Sequence, residues 1–153
     1  MKTVVKMLSS FFYLGYVPRI PGFFGSLGGL LFYLMVRRNL ALYFGSLIAL
    51  TTIAFLVIDK AEQIYGRKDA RIIVIDEAVG MMLALFLIPT EFFFIFLAFI
   101  FFRLYDVLKP FPIRWAEKQK SPLGVMLDDV IAGLYANLTV QVLYGILATK
   151  SGV

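Results

Sequence analysis

Residues 130–149 are twenty consecutive positions without a charge, and two carboxylates, Asp128 and Asp129, stand at the head of that run. As a helix the run is long enough to cross a bilayer. Ionised carboxylates at the mouth of a spanning helix are costly in hydrocarbon and require a partner such as a cation. Any fold for this chain must place an apolar helix in lipid and bring positive charge to its acidic end.

The pattern recurs elsewhere. Residues 39–58 are another twenty without charge, and residues 92–102 are eleven apolar residues in a row. Hydrophobic residues make up 61% of the 153, more than a soluble domain of this size uses. The sequence therefore predicts an all-α, polytopic integral membrane helix bundle of about four to five transmembrane helices, one domain over 1–153. Spans are expected near 27–36, 39–58, 72–89, 92–108 and 124–148. Residues 59–71 read as a polar loop, and 89–91 as a tight turn. The N-terminal 1–16 carries Lys2 and Lys6 beside an apolar patch broken by Ser9 and Ser10. No small-residue cleavage site follows, so an interfacial amphipathic helix is expected rather than a signal peptide.

Residues 18–29 are rich in Pro and Gly. Such a stretch breaks helix and exposes backbone amides. It serves either as a kinked lead into the first span or as an anion cradle built from amides, Gly25 and Ser26.

Cysteine and histidine are both absent. That excludes a disulfide framework, thiol chemistry, the usual general base and a phosphohistidine intermediate. The net charge of +5 is assigned to cytoplasmic Lys and Arg rather than to nucleic-acid binding. The basic loops 59–71 and 109–122 then lie in the cytoplasm with the N-terminus. Arg37 and Arg38 fall outside, in conflict with that rule unless the first span is re-entrant.

This topology carries the unusual charges to one interface. Asp76 and Glu77 enter the third span by about 6 Å. Arg103, Asp106 and Lys109 recur every three residues and form a stripe until Pro110 ends the helix. Asp128 and Asp129 open the last span from the same side. Gly80 lies four residues after Asp76, and Gly133 four after Asp129, so each acid shares a helix face with a glycine. Small residues on those faces let two helices approach closely. Asp76, Glu77, Asp106, Asp128 and Asp129 are candidate metal ligands, and a site of oxygen donors alone selects Mg²⁺ or Mn²⁺ over Zn²⁺. Arg103 and Lys109 would bind phosphate. Acids, a hard cation and basic side chains describe a site for phosphoryl transfer, with a carboxylate as base unless Ser or Asp acts as nucleophile. Its depth in the membrane indicates a lipid substrate.

These motifs resemble the phosphatidylglycerophosphatase A family. The resemblance rests on Pro18-Arg-Ile-Pro-Gly22 with Gly25-Ser26, on Ile75-Asp-Glu-Ala-Val-Gly80, on the segment from Phe102 to Ile113, and on Gly124 through Asp128-Asp129 to Gly133. It implies a Mg²⁺-dependent phosphoric monoester hydrolase of phospholipid synthesis at the bacterial inner membrane. Such an enzyme removes the terminal phosphate of phosphatidylglycerophosphate on the cytoplasmic side. Asp76, Glu77, Asp106 and Asp129 are then the candidate catalytic groups, and Gly25, Ser26, Arg103 and Lys109 the phosphate-binding ones. One position departs from the family: Phe23 stands where a threonine is usual. An intramembrane divalent-cation carrier, or a phosphatase of another lipid phosphate, is the alternative. A phospholipid-synthesis transferase would need an acidic array that this chain lacks.

Overall fold

The computed structural model describes residues 1–68, 70–119 and 123–151. Among these there are seven α-helices and no strand: α1 (Lys2–Ser9), α2 (Pro21–Val36), α3 (Leu40–Tyr65), α4 (Ile75–Ala84), α5 (Phe92–Leu108), α6 (Ile113–Glu117) and α7 (Leu123–Ser151). A short 3₁₀ turn, Leu14–Tyr16, joins α1 to α2. Helices α3 and α7 are long and apolar enough to cross a membrane, and α2 is a shorter apolar helix.

Short α4 is the hub. It lies between two apolar clusters and contributes to both. Met81, Met82 and Leu85 pack with Phe102 and Val140 in one, and Ile75 and Val79 pack with Ile58 and Met126 in the other. Its main neighbours are α7 and α2. At ten residues α4 rises only about 15 Å, half a hydrocarbon core. The helix is therefore shorter than the span expected over 72–89.

Tertiary contacts explain where α4 stops. A helix end leaves carbonyls without intrahelical donors, and in an apolar setting they need other partners. Asn137 on α7 donates from Nδ2 to the carbonyls of Ala84 (3.2 Å) and Phe86 (2.6 Å). Gln141 in turn donates to Asn137 Oδ1 at 2.7 Å. Tyr43 on α3 donates its hydroxyl to the Met82 carbonyl at 2.6 Å. At the other end the Val74 amide donates to the Ser9 carbonyl at 2.9 Å, which ties α1 to the start of α4.

The contact between α4 and α7 is backbone to backbone. A Cβ on Gly133 would overlap the Gly80 carbonyl, and a Cβ on Gly80 would lie 2.6 Å from the Asp129 carbonyl oxygen. Only glycine at both positions allows this approach, as the spacing of acids and glycines predicts.

Two further elements differ from expectation. Helix α3 continues through Asp59–Tyr65 of the expected loop, because Ile58 and Ala61 are fully buried and the polar residues there are good helix formers. It ends where Gly66 takes a left-handed conformation. The Pro/Gly stretch is helix from Pro21 onward, since proline suits the first helical turn. Helix α5 ends at Leu108, immediately before Lys109-Pro110, as expected.

Helix directions place the charges. Helix α2 starts at Pro21 and α5 finishes at Leu108, and the first residues of one and the last turns of the other line the same cavity. Their far ends meet where Arg37 donates to the Thr90 carbonyl, about 24 Å away by helix rise.

Candidate active site

A cavity of about 890 Å³ opens where α2, α4, α5 and α7 converge. Asp76, Glu77, Asp106, Asp128 and Asp129 all line it, as do Arg103 and Lys109. All five predicted acids thus share one space.

They do not share one role. Asp76, Glu77 and Asp129 each offer a carboxylate oxygen, and these three oxygens lie within 4.8 Å of one another. Asp76 and Glu77 come from the first turn of α4, where the positive end of the helix dipole favours them. Asp129 comes from α7, brought in by the Gly80–Gly133 contact. Asp106 instead pairs with Arg103 at 2.8 Å, and Asp128 with Lys109 at 2.8 Å. These two acids hold the site's cations in place.

The three clustered acids fit a hard cation. Glu77 Oε2 and Asp129 Oδ1 are buried and have no hydrogen-bond partner among the described residues. An unpaired buried carboxylate oxygen is costly, and two of them beside a third carboxylate repel one another. A divalent ion bound by oxygen donors relieves both penalties. The acidic triad is therefore suited to Mg²⁺ or Mn²⁺.

The basic groups are positioned rather than loose. Arg103 Nη1 donates to Ser26 Oγ at 3.1 Å, and Ser26 donates to the Gly22 carbonyl at 2.9 Å. With Asp106 on its other side, the guanidinium is held from α2 and from its own helix. Lys109 donates to Asp128 and also to Glu117 at 2.6 Å. Burial works against the Lys109 charge, but these two carboxylates outweigh it and raise the ammonium above its ordinary range. Lys109 stays charged at neutral pH. Gly22 leaves room at the centre: a Cβ there would sit 2.6 Å from Glu77 Oε1 and 3.5 Å from the Arg103 guanidinium.

Gly25 and Ser26 do not line the cavity as the anion-cradle reading expects. Gly25 is packed against Val74, and both residues are buried inside helix α2 with intrahelical amides. Ser26 touches the cavity's lining through its hydrogen bond from Arg103. Phe23, in place of the usual threonine, lines the cavity and stacks edge-on against Phe99, with ring centroids 5.4 Å apart.

Three basic cavity residues were given no site role by the sequence: Arg19, Arg67 and Arg71. Arg67 and Arg71 lie in the basic loop that served only to orient the chain. Arg19 has a left-handed backbone, φ 76°, uncommon outside glycine. Its place within the Pro18-Arg-Ile-Pro-Gly22 motif is the signal in the sequence that sets it apart.

Comparison with known proteins identifies the family. The sequence model described as phosphatidylglycerophosphatase A matches residues 7–144. A protein of Haemophilus influenzae named phosphatidylglycerophosphatase A is 34% identical, covering 89% of this chain and 86% of its own length. One of Escherichia coli with the same name is 33% identical over 78% of this chain and 72% of its own length. A Bacteroides thetaiotaomicron protein, provisionally named a phosphatidylinositol-3-phosphatase, is 32% identical over 84% of this chain and 86% of its own length. No solved structure matches the chain. With the match covering the acidic cluster and its basic partners, the chain belongs to the phosphatidylglycerophosphatase A family, and it is a phosphoric monoester hydrolase.

Proposed function

We propose that this enzyme hydrolyses the terminal phosphate of phosphatidylglycerophosphate, giving phosphatidylglycerol and phosphate, with Mg²⁺ held by Asp76, Glu77 and Asp129. The observation that carries the proposal is the meeting of these carboxylates, two with unpartnered buried oxygens, in a cavity that also holds Arg103 and Lys109. Mg²⁺ bound there supplies Lewis-acid polarisation of the phosphoryl group.

The chain's own residues perform the rest. Arg103, steadied by Ser26, presents charged donors to the phosphoryl oxygens and stabilises charge as it develops in the transition state. Lys109 adds a second fixed positive charge. Asp106 lies outside the metal-binding triad, paired through one carboxylate oxygen with Arg103, and we assign it the base. A water attacks phosphorus, its proton passes to Asp106, and the bond from phosphorus to the glycerol oxygen breaks. That oxygen takes a proton from solvent water and leaves as the new hydroxyl of phosphatidylglycerol, and Asp106 returns its proton to solvent.

The chain is placed in the bacterial inner membrane, multi-pass, with the site on the cytoplasmic side. Supporting this are the long apolar helices α3 and α7 and the outward apolar side chains Leu31, Ile48, Leu56, Phe96 and Val142. The basic segments 59–71 and 109–122 both contribute to the one cavity, through Arg67, Arg71 and Lys109, which fits a shared cytoplasmic end. The name of the Bacteroides relative favours a second reading, a different lipid phosphomonoester. Purified enzyme assayed on phosphatidylglycerophosphate, phosphatidic acid and phosphatidylinositol 3-phosphate, with Mg²⁺ and with EDTA, separates the two. Fastest turnover on the first, abolished by EDTA, is expected; Mg²⁺ flux into proteoliposomes without phosphate release would indicate a carrier instead.

A further inference from the structure

We infer that Arg19, Arg67 and Arg71 form a second anion subsite, which binds the inner phosphodiester of the lipid headgroup and sets preference for lipids carrying both a diester and a terminal monoester. The inference rests on the phosphatase reading and adds to it the feature of the substrate that is recognised.

Charge makes these arginines necessary. Of the five acids lining the cavity, only two have partners among Arg103 and Lys109. The remaining triad carries three negative charges. One divalent ion leaves the cavity net negative, and such a cavity repels phosphate. Arg19, Arg67 and Arg71 reverse the sign. Among the described residues none of the three makes an ion pair, and all are exposed.

Position separates them from the reacting centre. Asp76, Asp128 and Asp129 are buried and Glu77 and Asp106 half-buried, whereas these three side chains are exposed at the rim. A terminal phosphate must reach the floor to react. In the inferred pose the inner diester, one glycerol unit back, meets the rim. The cavity volume of about 890 Å³ falls in the range, about 300–1,000 Å³, that takes a whole drug-sized molecule rather than one phosphate. Arginine suits the task because its planar fork binds phosphate oxygens in pairs.

The test uses full-length enzyme in mixed micelles and the variants R67Q/R71Q and R19G. The last removes a guanidinium at a left-handed position where glycine is relaxed, so it does not depend on a fold made worse. The ratio of kcat/KM for phosphatidylglycerophosphate to that for phosphatidic acid, which lacks the diester, is expected to fall about 10- to 100-fold, as for loss of charged hydrogen bonds. Equal losses on both lipids would overturn the subsite while leaving the phosphatase standing. A second measurement is independent of turnover. In EDTA, saturation-transfer NMR with glycerophosphoglycerol, a diester without chains or monoester, is expected to show contact with wild type and little with R67Q/R71Q. Undiminished transfer in the variant would overturn the inference. If wild type hydrolyses neither lipid, the phosphatase reading fails, and the NMR result still decides the subsite.

Discussion

Gly133 of α7 lies against the carbonyl of Gly80 of α4, so closely that a methyl group on Gly133 would overlap it. That contact sets the distance between Asp129 and the Asp76–Glu77 pair. Gly133→Ala should push the helices apart, at a cost of about 1–3 kcal/mol for overpacking. Activity should fall by more than stability alone explains, because the triad opens. Thermal unfolding in detergent, with a Mg²⁺ titration of phosphate release, checks both. Unchanged Mg²⁺ dependence at reduced stability would show that the acids do not rely on this approach.

Asp129→Asn is expected to separate folding from activity. Loss of a metal ligand should cost more than the ~10- to 100-fold typical of outer hydrogen-bond partners. In EDTA the variant should melt no lower than wild type, since one of three crowded carboxylates has lost its charge. Saturating Mg²⁺ should raise the melting temperature of wild type by mass action and leave the variant unmoved. An Asp129→Asn enzyme with near-normal turnover would remove the triad from the mechanism.

Ser26 accepts a hydrogen bond from Arg103, and the proposed mechanism gives it the task of holding that guanidinium. Ser26→Ala leaves the guanidinium attached to Asp106 alone and frees it to turn. Loss of a hydrogen bond to a charged group is worth about 1.5–3 kcal/mol, so kcat/KM should drop about tenfold or more. Arg103→Lys should do no better in a wild-type background, because an ammonium cannot present a planar fork. If Ser26→Ala is silent while Arg103→Ala is not, Arg103 is held by Asp106 without help from α2.

The convergence of the acids was legible because each sits at the same end of an apolar run, and helix periodicity put Gly80 and Gly133 on the acid-bearing faces. Division of labour among those acids was not. Asp106 and Asp128 look like Asp76 and Asp129 in the sequence, and only the positions of Arg103 and Lys109 in space distinguish them. The length of α4 was hidden for a related reason. Nothing local stops a helix at Ala84; its terminal carbonyls are taken by Tyr43 and Asn137, residues far off in the chain. Loop arginines were read as topology alone, since charge in a loop carries no direction until the loop is placed. The Pro/Gly stretch suggests free amides throughout, whereas Pro21 starts a helix whose orphan amides are confined to its first turn, before Gly25 and Ser26.

Asn137 offers a test of the hub away from the chemistry. Its amide satisfies the Ala84 and Phe86 carbonyls within apolar surroundings, and Gln141 fixes its orientation. Asn137→Leu keeps the volume roughly but leaves those carbonyls without this donor, at an expected cost of about 1–3 kcal/mol. KM for the lipid should stay near wild type, because Asn137 is two helical turns beyond Asp129 and does not line the cavity. Unfolding in detergent would report the loss, and Asn137→Gln should recover part of it by restoring an amide donor. Wild-type stability in Asn137→Leu would mean that α4 ends where it does for reasons other than this cap, leaving Tyr43 as the residue that terminates it.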